Sequence, residues 1–403
     1  MTPPAKTASS RHKKAESGGG QTRAKTGPAT SPAQREADAS SKSARSEPRA
    51  EPTKISASRG LVDWLATHRI SIALTSYQTG QLMLIGALPK GSLSVYQRNF
   101  VRAMGISADP QRIYLSAIAQ VWRLENVLMQ GQVANKQFDR LYVPRNAQTT
   151  GDLDIHEIAV GEVGNVVFVN TKYSCLATFD PVHSFRPLWR PRFISSLAPE
   201  DRCHLNGLAM RDGRPKFVGA VSRSDVVDGW RERRHEGGVI IDVETDRIVT
   251  EDLSMPHSPR LANGKFWVLD SGRGYLCRVD EANGEVERVA FLPGFLRGLS
   301  FWRHFALVAT SLPRDSSFRG LELEDNIRAR DGEPRCGAFI VDTRNGDILH
   351  WIRFDGAVRE LFDAAFIPGV RAPMCVGLAS PEFRTLITMP ADEAATSSGS
   401  AED

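Results

Sequence analysis

Apolar and polar residues alternate at every second position in short runs along most of the chain, and turn residues end each run. The first runs are Ile70 to Thr75, Gln81 to Ala87 and Ser92 to Phe100, with a turn signal at residues 77–80. A period of two over about four to eight residues is typical of strands with one buried face. Helical spacing is limited to a short lead-in from Gly60 to His68. The pattern predicts an all-β sandwich, barrel or propeller.

A repeat becomes visible in the second half of the chain. Similar segments begin near His156, His204, His257 and Arg297, and these starts are 48, 53 and 40 residues apart. Each start opens a strand–turn–strand unit, and Asn-Gly pairs recur as turn signals at positions 263–264, 283–284 and 345–346. Asn-Gly between alternating runs is a strong hairpin signal. Repeats of this length suit the four-stranded blades of a β-propeller.

The remaining segments set the expected number of blades. Two weaker units fit between Ile70 and Thr150, and Val358 to Gly369 is predicted to be an inner strand that closes the ring with N-terminal strands. We therefore predict a single β-propeller over residues 60–380, with about six four-stranded blades and with five or seven as alternatives.

The two ends of the chain differ from this domain in composition. Residues 1–59 contain 12 of the 51 Lys and Arg residues, 5 of the 47 Asp and Glu residues, and no Phe, Trp or Tyr. Such a segment cannot bury enough apolar surface to offset the entropy of ordering it, so it is predicted to be a disordered basic tail. Residues 381–403 are predicted to be disordered too. Since the rest of the chain carries 39 basic and 42 acidic residues, we expect nucleic acid to be at most weakly contacted, by the tail.

Cysteine spacing and apolar runs indicate the compartment. The cysteines are widely spaced, without a CxxC pair, which argues against a disulfide framework or a structural zinc site. No apolar run approaches the roughly 20 residues of a membrane helix. The N-terminus lacks the apolar stretch of a secretory signal. We therefore expect a cytoplasmic protein with reduced thiols and no membrane partner.

Candidate site residues follow from the repeat. The innermost strands of a propeller line a channel, so equivalent positions on successive blades converge at one end of the axis. Strict alternation along a strand would turn some of these side chains away. His156, Glu157 and His204 are the predicted catalytic residues. The side chains expected to converge are His156, Glu157, His204, Asn206, His257, Arg260 and Arg297.

A metal site is one interpretation of this set, because neutral imidazoles and carboxylates are common ligands of divalent ions. The alternative is that each imidazole only hydrogen-bonds a neighbouring blade. One divalent metal ion is therefore an open prediction for a cofactor. Its predicted ligands are His156, Glu157, His204, Asn206 and His257.

An anion site is a second interpretation, because a guanidinium fork binds carboxylate or phosphate through two parallel hydrogen bonds. Several arginines, Arg192 and Arg314 among them, lie in turn-like contexts. The alternative is ion pairing between blades with acids such as Asp154, Asp201 and Asp315. The predicted ligand-binding residues are Arg145, Arg202, Asn206, Arg260, Asp270 and Arg297.

Seven stretches carry a resemblance to known proteins: TGDLDIHEIAVG, VNTKYSCLATFD, FRPLWRPRFIS, DRCHLNGLAM, LSMPHSPRLANGKFWVLDSG, PGFLRGLSF and CGAFIVDTRNGD. From about residue 70 to 375 the chain resembles an uncharacterised bacterial family of conserved hypothetical proteins, which has a domain of unknown function. The resemblance implies a propeller-like fold and no particular activity. More loosely, the blades look like those of gluconolactonase and strictosidine-synthase-like six-bladed propellers, several of which hold an axial divalent ion through Glu, Asn and Asp.

Three functions from different classes are compatible with the sequence. The first, which we favour, is a propeller that binds a small acidic molecule or peptide at a His- and Arg-lined channel mouth. The second is a metal-assisted hydrolase or lactonase-like enzyme, in which the ion would polarise a carbonyl and activate water. The third is a protein-interaction scaffold that uses the basic tail as an arm.

Overall fold

Hydrogen bonds between neighbouring chain segments build six sheets, which are the six blades of a β-propeller. The computed structural model describes residues 52–313 and 320–390. In chain order the strands are β1 Lys54–Ala57, β2 Ile70–Ser76, β3 Gln81–Ala87, β4 Leu93–Asn99, β5 Ile106–Ala108, β6 Arg112–Ser116, β7 Gln120–Asn126, β8 Arg140–Thr149, β9 Ile155–Val160, β10 Val166–Asn170, β11 Cys175–Thr178, β12 Arg186–Trp189, β13 Leu205–Arg211, β14 Arg214–Ala220, β15 Gly238–Asp242, β16 Ile248–Leu253, β17 Pro256–Ala262, β18 Lys265–Asp270, β19 Tyr275–Val279, β20 Val286–Phe291, β21 Phe295–Trp302, β22 Phe305–Ser311, β23 Cys336–Asp342, β24 Ile348–Asp355, β25 Ala364–Pro368 and β26 Pro373–Cys375.

Each blade is a four-stranded antiparallel meander that runs from the channel axis outward. Blades 3, 4, 5 and 6 are β9–β12, β13–β16, β17–β20 and β21–β24, and blade 2 is β5–β8. Blade 1 takes its innermost strand, β25, from the end of the domain and its other strands, β2–β4, from the beginning. Two outer edges gain a fifth strand, because β26 adds to β8 and β1 adds to β24.

The predicted all-β propeller of about six blades is therefore confirmed. The four predicted repeats correspond to blades 3 to 6, and the two weaker units correspond to blades 1 and 2. The predicted closing strand is β25, which pairs with β2 from Ile70 opposite Pro368 to Leu74 opposite Ala364. Closure by strands from both ends joins the beginning and the end of the domain within one blade.

Burial along the strands explains why the blades stack. Every residue of β2, β22 and β23 is buried, because these central strands have a neighbouring blade on each face. The outermost strand β20 is exposed at its first three residues. Between blades 4 and 5, the rings of Phe217 and Phe266 stack with centroids 4.5 Å apart. The core thus consists of apolar layers between sheets.

The predicted Asn-Gly signals occur at turns. Asn263 and Gly264 have φ angles of 53° and 67° between β17 and β18. Two successive left-handed residues are the backbone of a type I′ hairpin, which Asn and Gly adopt at least cost.

Three helices lie outside the blades. They are α1 Leu61–His68, α2 Glu322–Arg328 and α3 Glu382–Thr385, and a 3₁₀ turn covers Arg231–Arg233. None of the helices in the described ranges is long and apolar enough to cross a membrane.

The ends of the folded part differ from the predicted boundaries. Residues 54–57 were expected in the disordered tail, but they form β1, because an unpaired edge of blade 6 offers them a backbone hydrogen-bonding partner. Helix α3 likewise lies within the predicted C-terminal tail. The predicted disorder of residues 1–51 and 391–403 concerns positions outside the described residues.

Loss of packing at the closing strand should weaken the whole ring. Phe366 in β25 is 3% exposed and belongs to the core layer between blades 1 and 6. We expect Phe366→Ala to lower the free energy of unfolding by about 3–5 kcal/mol, measured by urea denaturation with tryptophan fluorescence. Ile387→Ala, at a side chain that is 79% exposed, is the control and should change it by less than about 0.5 kcal/mol. Equal midpoints for Phe366→Ala and the parent would contradict the assignment of β25 as the closing strand.

Candidate functional site

A cavity of about 250 Å³ opens at the end of the channel where the innermost strands begin. We call it the upper cavity. Its walls combine three aromatic residues with several charged groups and two imidazoles. The lining residues are Tyr77, Arg102, Met104, Asp154, His156, Asp201, His204, Trp230, Arg231, Met255, Arg297 and Phe362.

Irregular pairing in the innermost strands brings polar side chains to the channel. In blade 3 the register between β9 and β10 shifts where His156 and Glu157 lie, and both side chains are buried. His156 lines the upper cavity, whereas Glu157 lines a second, lower cavity on the opposite side of the bulge. Comparable register shifts occur in the innermost strands of blades 4, 5 and 6. A bulge inserts one extra residue and re-aims the side chains around it.

His204 is held by an acid and an indole. Its Nδ1 lies 2.9 Å from Oδ2 of Asp201, and the Trp230 indole N–H donates to the same oxygen at 2.8 Å. The imidazole also stacks on the Trp230 ring, with centroids 4.2 Å apart. Asp201 and His204 both have left-handed backbones, with φ of 45° and 49°. Left-handed conformations are costly for residues other than glycine, and they concentrate at functional sites.

His156 is fixed in a similar way. Its Nδ1 donates to the Asp154 carbonyl oxygen at 2.9 Å and lies 2.7 Å from Oγ1 of Thr171, whose own hydroxyl donates to the Leu205 carbonyl. The edge of its ring meets the ring of His204, with centroids 4.8 Å apart. Burial lowers the pKa of His156 to about 4, so the ring is neutral at physiological pH.

His257 repeats the arrangement one blade further on. Its Nδ1 donates to the Met255 carbonyl oxygen at 2.9 Å and lies 3.1 Å from Oγ of Ser271. Within the described part of the chain, its buried Nε2 has no hydrogen-bond partner. Burial and the nearby charge of Arg297 lower the pKa of His257 well below its usual range.

Arg297 is the most buried of the three arginines that line the upper cavity. Its side chain is 8% exposed, and its guanidinium lies 4.7 Å from the ring centroid of Phe362 and 5.7 Å from that of Tyr77. Burial lowers the pKa of Arg297 to about 10, which still leaves it charged at neutral pH. Across residues 52–313 and 320–390, no carboxylate lies within 4.0 Å of its nitrogens. Aromatic faces therefore hold a cation that has no ion pair there.

A buried ionic cluster lies below this level. Arg260 pairs with Glu157, whose other carboxylate oxygen accepts from the Leu208 backbone N–H at 2.7 Å. Asp363 accepts from the Ile106 backbone N–H at 2.9 Å and interacts with both members of the pair. Burial raises the pKa of Glu157 despite its pairing with Arg260. Burial, together with repulsion from Glu157, raises the pKa of Asp363 to about 7.

The family described as "Domain of unknown function (DUF4915)" matches residues 59–376. The chain belongs to this family. The resemblance seen in the sequence is thereby confirmed. No curated protein matches the chain in sequence.

Solved propeller structures are similar to this DUF4915 domain at low sequence identity. A chain of the nidogen/laminin complex is 10% identical with a TM-score of 0.47, over 74% of this chain and 99% of that one. Virginiamycin B lyase from Staphylococcus aureus is 12% identical with a TM-score of 0.34, over 60% and 73% of the two chains. A streptogramin B lyase is 12% identical with a TM-score of 0.35, over 71% and 76%.

The predicted metal ligands of the DUF4915 domain do not converge on one centre. Among the residues that the structure describes, no three His, Cys, Asp or Glu side chains are placed to hold a metal ion. The bulge turns Glu157 to the lower cavity, away from His156 and His204, and Arg260 occupies its carboxylate. The residues therefore do not fit the predicted divalent ion, and we derive no metal chemistry from them.

Three predicted ligand-binding residues also lie elsewhere in the DUF4915 domain. Arg145, on the outer strand of blade 2, donates to the Leu386 carbonyl oxygen at 3.0 Å. Arg202 pairs with Glu200 and Asp225 at 2.7 Å each. Asp270 accepts from the Ser254 backbone N–H at 2.8 Å and pairs with Arg273 at 3.2 Å. These three side chains are satisfied at blade edges and strand ends and do not line the upper cavity, and their role in ligand binding stays a prediction.

The remaining predicted side chains divide between levels of the channel. Arg260 is in the ionic cluster, and Asn206 is buried with neither amide atom hydrogen-bonded to the described residues. Arg192, at the surface, pairs with Asp246 at 2.8 Å. The predictions for Arg314 and Asp315 fall outside the described residues.

Sequence reasoning missed several groups of the DUF4915 channel. Asp363 and Phe362 immediately precede the closing strand, so aligning that strand with the recurrent starts would have found them. Trp230 comes from the long connection between β14 and β15, which no repeat marks. Asp154 and Asp201 precede the channel histidines of blades 3 and 4. From the sequence, these two acids were expected only as ion-pair partners of arginines and not as neighbours of the histidines.

The ionic cluster should make stability depend on pH. The pKa of Asp363 is about 7 in the folded protein, which is above its ordinary value of about 4. The stability that its protonated form contributes is therefore complete below about pH 4 and is lost as pH rises through 7. Between pH 5 and pH 8, we expect ionisation of Asp363 to lower the free energy of unfolding of the parent protein by about 2 kcal/mol. Asp363→Asn should flatten the fall in Tm over this range, measured by differential scanning calorimetry.

Asp342→Asn is the control for this prediction. The pKa of Asp342 is about 2, because Arg344 hydrogen-bonds its carboxylate, so it does not titrate between pH 5 and pH 8. This variant should keep the parental pH dependence even if its Tm is lower at every pH. An unchanged slope in Asp363→Asn would show that Asp363 is not the titrating group.

Proposed function

We propose that the upper cavity binds a small anionic molecule, with a carboxylate on the guanidinium of Arg297. The observation that carries this proposal is that Arg297 is buried in the cavity wall and has no ion-pair partner within 4.0 Å in the described part of the chain. Burying an unpaired charge is costly. A ligand carboxylate would offset this cost through two parallel, charge-assisted hydrogen bonds.

Electrostatic surroundings support an anion rather than a cation at this position. Glu360 and Asp154 favour the charged form of Arg297 from a distance, but its pKa is still lowered because burial outweighs them. The neighbouring imidazole of His156 is neutral, since burial lowers its pKa to about 4. Of the arginines that line the cavity, Arg102 pairs with Asp152 and Arg231 pairs with Asp228, whereas Arg297 has no ion pair with a described residue.

The size of the cavity favours a small molecule over a peptide. Its volume is about 250 Å³, whereas sites for drug-sized ligands have roughly 300–1,000 Å³. A compact metabolite with few heavy atoms fits this space. A peptide could insert only its terminal carboxylate.

A cytoplasmic location is also part of the proposal. The five cysteines are all buried and unpaired. Unpaired thiols are typical of proteins in a reducing compartment.

Replacing the charge should remove binding without weakening the fold. We expect Arg297→Met to reduce affinity for small carboxylates by about 10- to 100-fold, because a charged hydrogen bond contributes about 1.5–3 kcal/mol. Isothermal titration calorimetry with propionate, lactate, succinate and benzoate measures this. The free energy of unfolding should be kept or should rise, because the variant no longer buries an unpaired charge.

Arg202→Met is the matched control, since Arg202 already has Glu200 and Asp225 as partners away from the cavity. It should leave affinity unchanged. If Arg297 were instead needed as a structural ion, Arg297→Met would cost about 3 kcal/mol of stability. That outcome, or equal affinities in the parent and Arg297→Met, would refute the proposal.

A further inference from the structure

The upper cavity contains more hydrogen-bond acceptors than donors on the side of the histidines. Nδ1 of His156 faces a carbonyl oxygen, which can only accept, so the hydrogen-bond network assigns the ring proton to Nδ1. Nδ1 of His204 faces the Asp201 carboxylate, which assigns its proton in the same way. Because the His156 ring is neutral, its Nε2 is an acceptor, and it has no hydrogen-bond partner among the described residues.

Asp154 adds a carboxylate to the same wall. Its side chain is about one-third exposed, at 33%, and lies 3.4 Å from Arg102. Although burial acts in the opposite direction, His156, His204 and nearby arginines lower the pKa of Asp154, so it is ionised at neutral pH. An ionised carboxylate only accepts hydrogen bonds.

The donors of this wall are already engaged. The indole N–H of Trp230 donates to Asp201, and the hydroxyl of Tyr77 donates to Glu360. Arg102 pairs with Asp152 as well as Asp154. A ligand that carried only a carboxylate would satisfy Arg297 but would leave Nε2 of His156 without a partner from the ligand.

We infer that the ligand is a small carboxylate that also carries a hydrogen-bond donor, a hydroxyl or an ammonium group, close to its carboxyl carbon. The carboxylate lies on Arg297, and the donor lies on Nε2 of His156. This inference rests on the proposed function of the cavity. It adds a selectivity that Arg297 alone cannot provide, because a site built to bond a hydroxyl or ammonium disfavours the analogue that lacks it.

Aromatic side chains complete the fit for a compact skeleton. Phe362 contacts the ring of His156, with centroids 5.2 Å apart, and Trp230 stacks on His204. These faces give apolar contact to the carbon atoms between the two polar groups. The cavity thus has a cationic end, an acceptor-rich side and apolar walls.

Matched three-carbon ligands test the inference by calorimetry at neutral pH. Propionate has no donor, lactate has a hydroxyl, alanine has an ammonium, and 2-methoxypropionate has an oxygen that cannot donate. We expect lactate or alanine to bind at least about tenfold more tightly than propionate, and methoxypropionate to bind no better than propionate. His156→Phe keeps an aromatic ring against Phe362 but removes Nε2, so the ratio should fall towards one.

Asp154→Asn distinguishes the two donors. Loss of its charge should weaken alanine more than lactate if the donor is an ammonium, and should affect neither much if it is a hydroxyl. Equal binding of propionate, lactate and alanine, with all three lost in Arg297→Met, would overturn the inference and leave the proposed function intact. No binding that depends on Arg297 would instead refute the proposed function.

A second measurement does not depend on how the histidine variants fold. In the parent protein with ¹⁵N-labelled histidine, the Nε2 signal of the neutral His156 ring reports directly on a hydrogen bond that it accepts. We expect this signal to shift on saturation with the tightest ligand and to stay in place with propionate. An Nε2 signal of His156 that does not move with any bound ligand would overturn the inference.

Discussion

The arrangement of the channel depends on the bulges in its innermost strands. A regular strand sends neighbouring side chains to opposite faces, so His156 and Glu157 could not both point into the channel. At two of these bulges, the innermost strand lies very close to the neighbouring blade. A Cβ atom on Gly207 would lie 2.3 Å from Pro259, and one on Gly298, whose φ is 69°, would lie 2.5 Å from the Ala364 backbone nitrogen. The ring can narrow at this level only because these glycines have no side chain.

The buried charges of the channel form two groups, which differ in whether the protein itself offsets the cost of removing them from water. In the lower group, Glu157 and Arg260 neutralise each other, and the raised pKa of Asp363 allows it to take up a proton instead of a second negative charge. Such a cluster is satisfied internally, and buried ion pairs often contribute little net stability. In the upper group, Arg297 has aromatic neighbours and no ion-pair partner within the described residues. The cost of burying charge is offset within the protein at the lower level, whereas no described carboxylate pairs with Arg297 at the upper level.

The sequence was informative where the repeat was regular. Alternation, Asn-Gly turns and the recurrent starts identified blades 3 to 6 and brought His156, His204 and Arg297 to one cavity. It was less informative where tertiary packing decides the outcome. The bulge that brings His156 and Glu157 into the channel at different levels breaks the regular alternation, so the alternating pattern alone does not predict it. Trp230 lies in an insertion outside the repeat, and β5, with three residues, is too short to show a period.

The two ends of the channel are suited to different roles. The lower cavity has the ion pair of Glu157 and Arg260 together with apolar side chains such as Ile158, Leu208 and Phe366. An anion that entered there would meet an arginine already neutralised by its partner. At the upper end, the insertions of blades 4 and 6 pack together, since Trp230 and Leu323 belong to one apolar cluster with Met255. This cluster supports Trp230, which in turn contacts Asp201 and His204. If the upper cavity binds the proposed ligand, a wall held in place by these contacts would reduce the entropy lost on binding and would help the cavity to discriminate between closely related molecules.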